Sequence, residues 1–143
     1  MISEKFQKII STTNTQGQIY PQKPATKEDI AAFEKKHDIK LPTKYREWLL
    51  FSDGGEIFPP AGIQLYGVKH KPIIDMEDKD GPDDSYVVIG SLASGDPIVF
   101  KKTEERISIY NLENGQIEDD ETYEDFNAFL NNIHGIVGEE ELL

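Results

Sequence analysis

The spacing of hydrophobic residues along the chain changes close to Gly55. Before that point they recur every three or four residues, which is typical of amphipathic helices. After it they alternate with polar residues, which is typical of half-buried strands. The pattern predicts helices over 3–13, over 27–38 and over 43–52, followed by a run of strands.

Capping residues indicate where the helices begin and end. Thr26 stands before the second helix with Asp29 at its third position, which is the arrangement of a capping box. Leu41-Pro42 suits the start of the next helix, because proline fits the first helical turn. Asp53-Gly54-Gly55 is expected to end that helix, with glycine in the left-handed C-cap conformation. The predicted buried faces consist of Ile30, Phe33 and His37, then Tyr45, Trp48, Leu49 and Ser52.

The second half of the chain predicts a meander of strands and a closing helix. Segments rich in Val, Ile and Tyr lie at 63–66, 86–91, 97–101 and 107–112. Asn114-Gly115 predicts a two-residue hairpin into a short strand at 116–118. Thr122 is expected to cap the last helix, with Asp125 at its third position and a stop at Gly135 or Gly138. Its predicted apolar face consists of Phe126, Phe129, Leu130 and Ile133.

The 143 residues fit one α+β domain of common size. We divide it into an N-terminal helix and connection (1–20), a core (21–135) and an acidic tail (136–143). Absence of cysteine excludes a disulfide framework and a thiolate metal site. The chain shows neither a signal peptide nor an apolar run of the ~20 residues that a membrane span needs. The expected location is the cytoplasm, and the expected state is a monomer or weak homodimer.

The net charge of −12 is distributed unevenly. Residues 1–50 hold nine Lys/Arg against six Asp/Glu, whereas residues 51–143 hold six against twenty-one. Such a field repels phosphate backbones, so nucleic-acid binding is disfavoured. Acidity alone would serve solubility, but these charges cluster, notably in the predicted loop over 75–84, and clustering favours a binding surface.

Residues with catalytic or metal-binding chemistry do not form a known motif. His37, His70 and His134 stand alone, without metal-ligand spacing. The acidic loop lacks the first and twelfth calcium ligands of an EF-hand, because Met76 and Val87 occupy those positions. No nucleophile elbow or phosphate-binding loop occurs. We therefore predict no catalytic residue, no cofactor and no metal; an enzyme with an unfamiliar acidic, metal-dependent site is the weakest alternative.

Several short motifs together resemble the SUKH superfamily over about residues 20–135. They are Phe33-Glu34, Leu41-Pro42, an aromatic helix ending in Asp53-Gly54-Gly55, Ile89-Gly90, Gly95-Asp96, Ile109-Tyr110 and a final helix with Phe126 and Phe129-Leu130. The superfamily includes bacterial toxin-immunity proteins and a fungal regulator of cell-wall assembly. The resemblance implies helices packed on one side of a four- to six-stranded, mostly antiparallel sheet, with a C-terminal closing helix.

The resemblance also implies a non-enzymatic function. We expect an immunity protein that neutralises a secreted or contact-dependent toxin, a cationic one such as a nuclease, through an acidic surface. The alternative is an intracellular scaffold or regulatory adaptor. In this superfamily the partner-binding residues vary with the toxin, so none can be carried over to this chain. We therefore choose candidates by their charge and expected exposure. They are Glu56, Phe58, Tyr66, Asp75, Glu77, Asp78, Asp80, Asp83, Asp84, Tyr86, Glu118, Asp119, Asp120 and Glu121.

Overall fold

A computed structural model describes residues 19–20, 22–57, 62–70, 73–74, 85–102 and 104–132. Its elements, in chain order, are β1 (Ile19–Tyr20), α1 (Lys27–His37), α2 (Thr43–Phe51), β2 (Gly55–Ile57), β3 (Ile63–Leu65), β4 (Tyr86–Leu92), β5 (Pro97–Lys101), β6 (Ile107–Asn111), β7 (Gln116–Tyr123) and α3 (Phe126–Asn131). The predicted helix at 3–13, the loop at 75–84 and the acidic tail lie outside the described residues.

The seven strands form one sheet in which each strand pairs antiparallel with its neighbour in the chain. The α+β class is therefore confirmed. The sheet exceeds the expected four to six strands because β1 and β2 add to it. Strands of two and three residues are too short to show the alternation by which a strand is recognised.

The predicted start and end of α1 are confirmed. The Thr26 hydroxyl accepts a hydrogen bond from the Asp29 amide, and the Asp29 carboxylate accepts one from the Thr26 amide, each at 3.0 Å. The bond from the Thr26 amide, and secondarily the interaction with the Thr26 hydroxyl, lower the pKa of the Asp29 carboxyl group. The helix ends at Asp38, whose left-handed backbone (φ 52°) turns the chain toward α2.

The first turn of α2 obtains its cap from a distant part of the chain. Pro42 is the N-cap residue and offers no side-chain hydrogen bond. Instead, the carboxylate of Glu105, just before β6, accepts from the Thr43 amide at 2.7 Å and from the Thr43 hydroxyl at 3.2 Å. A carboxylate at a helix N-terminus satisfies an orphan donor and complements the helix dipole.

The predicted glycine cap at the end of α2 is wrong. The cap residue is Ser52, which is extended and donates its amide to the Trp48 carbonyl at 2.7 Å. Gly54 (φ 90°) comes later, where a Cβ atom would lie 2.7 Å from the Leu65 carbonyl oxygen. Its lack of a side chain therefore allows the chain to pass close to β3.

The β6–β7 turn is also longer than the two residues predicted. Four residues, 112–115, connect the paired Asn111 and Gln116. The Gly115 amide donates to the Asn111 carbonyl at 2.8 Å, with Gly115 at φ 67°.

The predicted cap of the last helix is wrong as well, because β7 continues through Tyr123. Thr122 pairs with Ser108 in the sheet, and their hydroxyl oxygens lie 3.3 Å apart. Asp125 caps α3 instead, accepting from the Ala128 amide at 2.8 Å. The helix ends at Asn131, before the two glycines expected to stop it.

One hydrophobic core lies between the helices and a single face of the sheet. The sheet contributes Ile57, Ile63, Leu65, Val87, Ile89, Ile98, Phe100, Ile107 and Ile109. The helices contribute Ile30, Phe33, Tyr45, Trp48, Leu49, Phe126, Phe129 and Leu130. The predicted helix faces are thus confirmed for the described residues except His37, which is half-buried. The described helices pack on this face of the sheet alone, and we call the opposite face the helix-free face.

Candidate functional site

Polar side chains form a row across the helix-free face of the sheet. Glu56 pairs with Gln64, Gln64 with Ser91, and Ser91 with Pro97. The neighbours of Glu56 and Gln64 along each strand are buried toward the helices, so these two side chains point the other way. Opposed residues of antiparallel strands have Cβ atoms about 5 Å apart, so the row is continuous.

A depression of about 340 Å³ lies on this row. Its lining residues are Glu56, Gly62, Ile63, Gln64, Ser91, Leu92 and Ala93. We call it the Glu56 depression. Glu56 is exposed, and its carboxylate makes no hydrogen bond or ion pair with any described residue. The depression therefore combines one free negative charge, two neutral polar groups and an apolar wall.

A second depression, of about 400 Å³, lies farther along the sheet. We call it the Tyr86 depression; its lining residues are Tyr86, Lys101, Glu104, Arg106, Ser108, Ile117 and Thr122. Tyr86 pairs directly with Lys101, and the Arg106 guanidinium lies 3.5 Å from the Glu104 carboxylate. This depression is mixed in charge, unlike the first.

Two valines lie on the same face between the depressions. Val88 pairs with Val99, and both are buried, although neither belongs to the main core cluster. Tyr86 is five residues from Ser91 along β4, which corresponds to about 17 Å of strand. This face thus has an acidic depression and a mixed one, with a buried apolar pair between them.

Four of the predicted partner-binding residues have described side chains. Glu56 and Tyr86 lie in the two depressions, and Glu121 precedes Thr122 at the edge of the second. Tyr66 is half-buried and packs against the core. The other candidates in the loops, Phe58, Asp75, Glu77, Asp78, Asp80, Asp83 and Asp84, lie outside the described residues.

The remaining candidates, Glu118, Asp119 and Asp120, lie in an irregular part of β7. Ser108 pairs with Thr122 and Tyr110 with Ile117, so one residue of β6 faces four residues of β7. Such a mismatch is an enlarged β-bulge, which bends the strand out of the regular ladder. The acidic run 118–121 therefore occupies a bulge in the last strand of the sheet.

Asp53 has a structural role that the sequence did not reveal. Its buried carboxylate accepts hydrogen bonds from the amides of Val68 (2.7 Å), Lys69 (2.9 Å) and His70 (2.8 Å). The His70 ring nitrogen Nδ1 lies 3.2 Å from the same carboxylate. A Cβ atom on Gly67 would lie 2.5 Å from Asp53 Oδ1, so only glycine permits this approach. We call this arrangement the Asp53 clasp; it fixes the segment that follows β3.

Tyr45 lies beside the clasp in the core. Its hydroxyl donates to the Tyr66 carbonyl, with the Ile89 carbonyl 3.4 Å away. Burial, and secondarily the nearby Asp53 charge, raise the pKa of the Tyr45 phenol well above its ordinary value of 10.0.

The raised pKa of Tyr45 predicts a loss of stability in alkali. Above pH 10 the unfolded chain releases the phenol proton while the folded chain keeps it, so the free energy of unfolding falls as pH rises. The slope from this group approaches about 1.4 kcal/mol per pH unit. Urea unfolding of the wild type and Tyr45→Phe between about pH 9 and 11 measures it. Equal slopes for the two proteins would contradict the assignment.

Chemically, these surfaces offer hydrogen bonding, charge and apolar contact. Among the described residues, no group of three His, Asp or Glu side chains converges as metal ligands would. Of the three histidines, His37 and His70 are half-buried, and His134 lies outside the described residues. No helix in the described part of the chain has the length and apolar character to cross a bilayer.

The geometry defines an α+β domain whose described helices cover one face of the sheet. Residues 24–132, from just before α1 to just after α3, match the SMI1 / KNR4 family (SUKH-1), and the chain belongs to this family. The resemblance drawn from the sequence motifs is thereby confirmed. No curated protein matches the chain. Membership is consistent with a role in toxin immunity or a related one.

Proposed function

We propose that this protein is a non-enzymatic immunity protein that binds and neutralises a cognate toxin in the cytoplasm. The observation that carries the proposal is membership of the SUKH-1 family over residues 24–132. The fold supports it, because the helix-free sheet face offers two depressions at which a partner protein can bind.

Charge supports a cationic partner such as a nuclease. Residues 51–143, which hold the large carboxylate excess, build strands β2 to β7, whereas the mildly basic first 50 residues supply most of the two longer helices. A nuclease must hold phosphates and is therefore cationic around its active site. Complementary fields raise the association rate and select the partner.

The size of the face suits one protein interface. A standard interface buries about 800 Å² on each partner, which corresponds to a patch roughly 30 Å across. Both depressions fit within such a patch, since Tyr86 in one and Ser91 in the other lie about 17 Å apart along β4. Tyr86, half-buried in its depression, has the character of an aromatic anchor.

Rescue of intoxicated cells tests the proposal. Candidate toxins are the C-terminal domains of large secreted proteins encoded near the gene for this chain, and each is expressed in a host with and without the chain. We expect growth arrest without it and growth with it. Arrest that persists although the chain is folded and abundant would overturn the immunity function and favour a scaffold or adaptor.

Electrostatic steering predicts that binding depends on salt. The association rate constant with a catalytically inactive toxin domain is expected to fall at least about tenfold between about 50 and 500 mM NaCl, because added salt screens the complementary fields. Surface plasmon resonance or stopped-flow fluorescence measures this rate. An association rate that does not change with ionic strength would contradict an acidic binding surface.

A further inference from the structure

The Glu56 carboxylate differs from most others in the described part of the chain. Most of the described carboxylates already serve the fold through helix caps, ion pairs or loop hydrogen bonds; examples are Asp29, Glu34, Asp53, Asp96, Glu104, Glu105 and Asp125. Among the carboxylates that line the Glu56 and Tyr86 depressions, Glu56 alone makes no such contact with a described residue. Its charge is available to a partner.

The neighbours of Glu56 complete a site for one elongated cation. Gln64 and Ser91 lie on adjacent strands of the same row, and neither side chain makes a hydrogen bond with a described residue. Each therefore offers a side-chain oxygen as an acceptor. Ala93 supplies an exposed apolar side chain on one side of the depression, whereas Leu92, paired with Ile63, packs toward the core.

We propose that the Glu56 depression receives an arginine side chain of the partner protein. The guanidinium would pair with Glu56 and donate to Gln64 and Ser91, while the arginine stem would pack against Ala93. This inference rests on the proposed function, because it names the toxin side chain that one part of the acidic immunity surface would bind.

Arginine fits this geometry better than other ligands. Its five N–H donors lie in one plane and can reach several acceptors along a row, whereas a lysine ammonium is a compact charge with three donors. The free charge of Glu56 disfavours an anion, and a single carboxylate with two neutral groups is a poor set of ligands for a divalent cation. A volume of about 340 Å³ is near the lower limit for small-molecule pockets, which suits one side chain.

A small probe tests the subsite without the toxin. N-acetyl-arginine methylamide is titrated into the ¹⁵N-labelled protein, and amide chemical shifts are followed. We expect saturable shifts at Glu56, Gln64 and Ser91, absent from Glu56→Gln, and binding at least about threefold weaker for the lysine analogue. The proposal is overturned if these amides do not saturate or if Glu56→Gln responds as the wild type does.

The toxin domain provides the second measurement. Glu56→Lys is expected to raise the dissociation constant about thirtyfold through repulsion and loss of the charged hydrogen bonds. The matched control is Glu28→Lys, the same change at an exposed position in the first turn of α1, expected to stay within about threefold. Equal effects of both variants would overturn the subsite and leave the immunity function standing. If the wild type does not bind the toxin domain, the immunity function is overturned. The arginine titration alone would then test whether the Glu56 depression binds arginine.

Discussion

Asp53→Ala is expected to lower the free energy of unfolding by about 3–5 kcal/mol, because three amides lose one shared, buried acceptor. The Val68, Lys69 and His70 amides all donate to this carboxylate, and the packing around Gly67 restricts any replacement acceptor. Urea unfolding at neutral pH, followed by circular dichroism, measures the loss.

Two further variants separate the Asp53 clasp from a general effect of removing a carboxylate. Asp53→Asn keeps one carbonyl oxygen as an acceptor and is expected to cost less than the alanine change. Asp96→Ala removes a half-buried carboxylate that accepts a single amide, from Leu112 at 3.2 Å, and should cost about 1 kcal/mol or less. If Asp53→Ala were as mild as Asp96→Ala, the clasp would contribute little to stability.

Trp48→Ala is expected to cost a comparable 3–5 kcal/mol, through the cavity that it leaves in the core. Trp48 is fully buried, and its ring contacts those of Phe51 and Phe126, with centroids 5.4 and 5.9 Å apart. The indole N–H also donates to the Gly54 carbonyl at 2.9 Å. Circular dichroism in urea is the suitable probe, because Trp48 is the only tryptophan of the chain.

The matched control for this change is Trp48→Phe. Phenylalanine keeps an aromatic ring against Phe126 but removes the hydrogen bond to Gly54, so we expect a smaller loss of about 1–3 kcal/mol. A loss for Trp48→Phe as large as for Trp48→Ala would show that the hydrogen bond, rather than the filled volume, dominates.

Elements whose signals are local were predicted well from the sequence. The capping box of α1 joins Thr26 and Asp29, only three residues apart, and strand β5 over 97–101 was predicted with its observed bounds. The end of α2 and the cap of α3 were missed because distant contacts decide them. Thr122 has the residue type of a helix cap, but its pairing with Ser108 in the sheet prevails.

The residues of the candidate site also differ in how well the sequence predicted them. Glu56 was predicted as a binding residue from its charge and its position after the glycine pair, and that role stays a prediction. Its combination with Gln64 and Ser91 depends on strand register, which a single sequence does not reveal. The Asp53 clasp was missed because its partners lie 15 to 17 residues away in a segment without a recognisable motif.

The Glu105 cap of α2 has a consequence for the order in which the protein folds. Its acceptor lies 62 residues beyond Thr43, so the loop that joins them must close before the first turn of α2 is complete. The capping box of α1, by contrast, forms within one turn. As the chain leaves the ribosome, α1 can therefore be capped early, whereas α2 has its cap only after β6 begins to emerge. A nascent chain that stalls before residue 105 would keep a frayed α2 and an incompletely covered core.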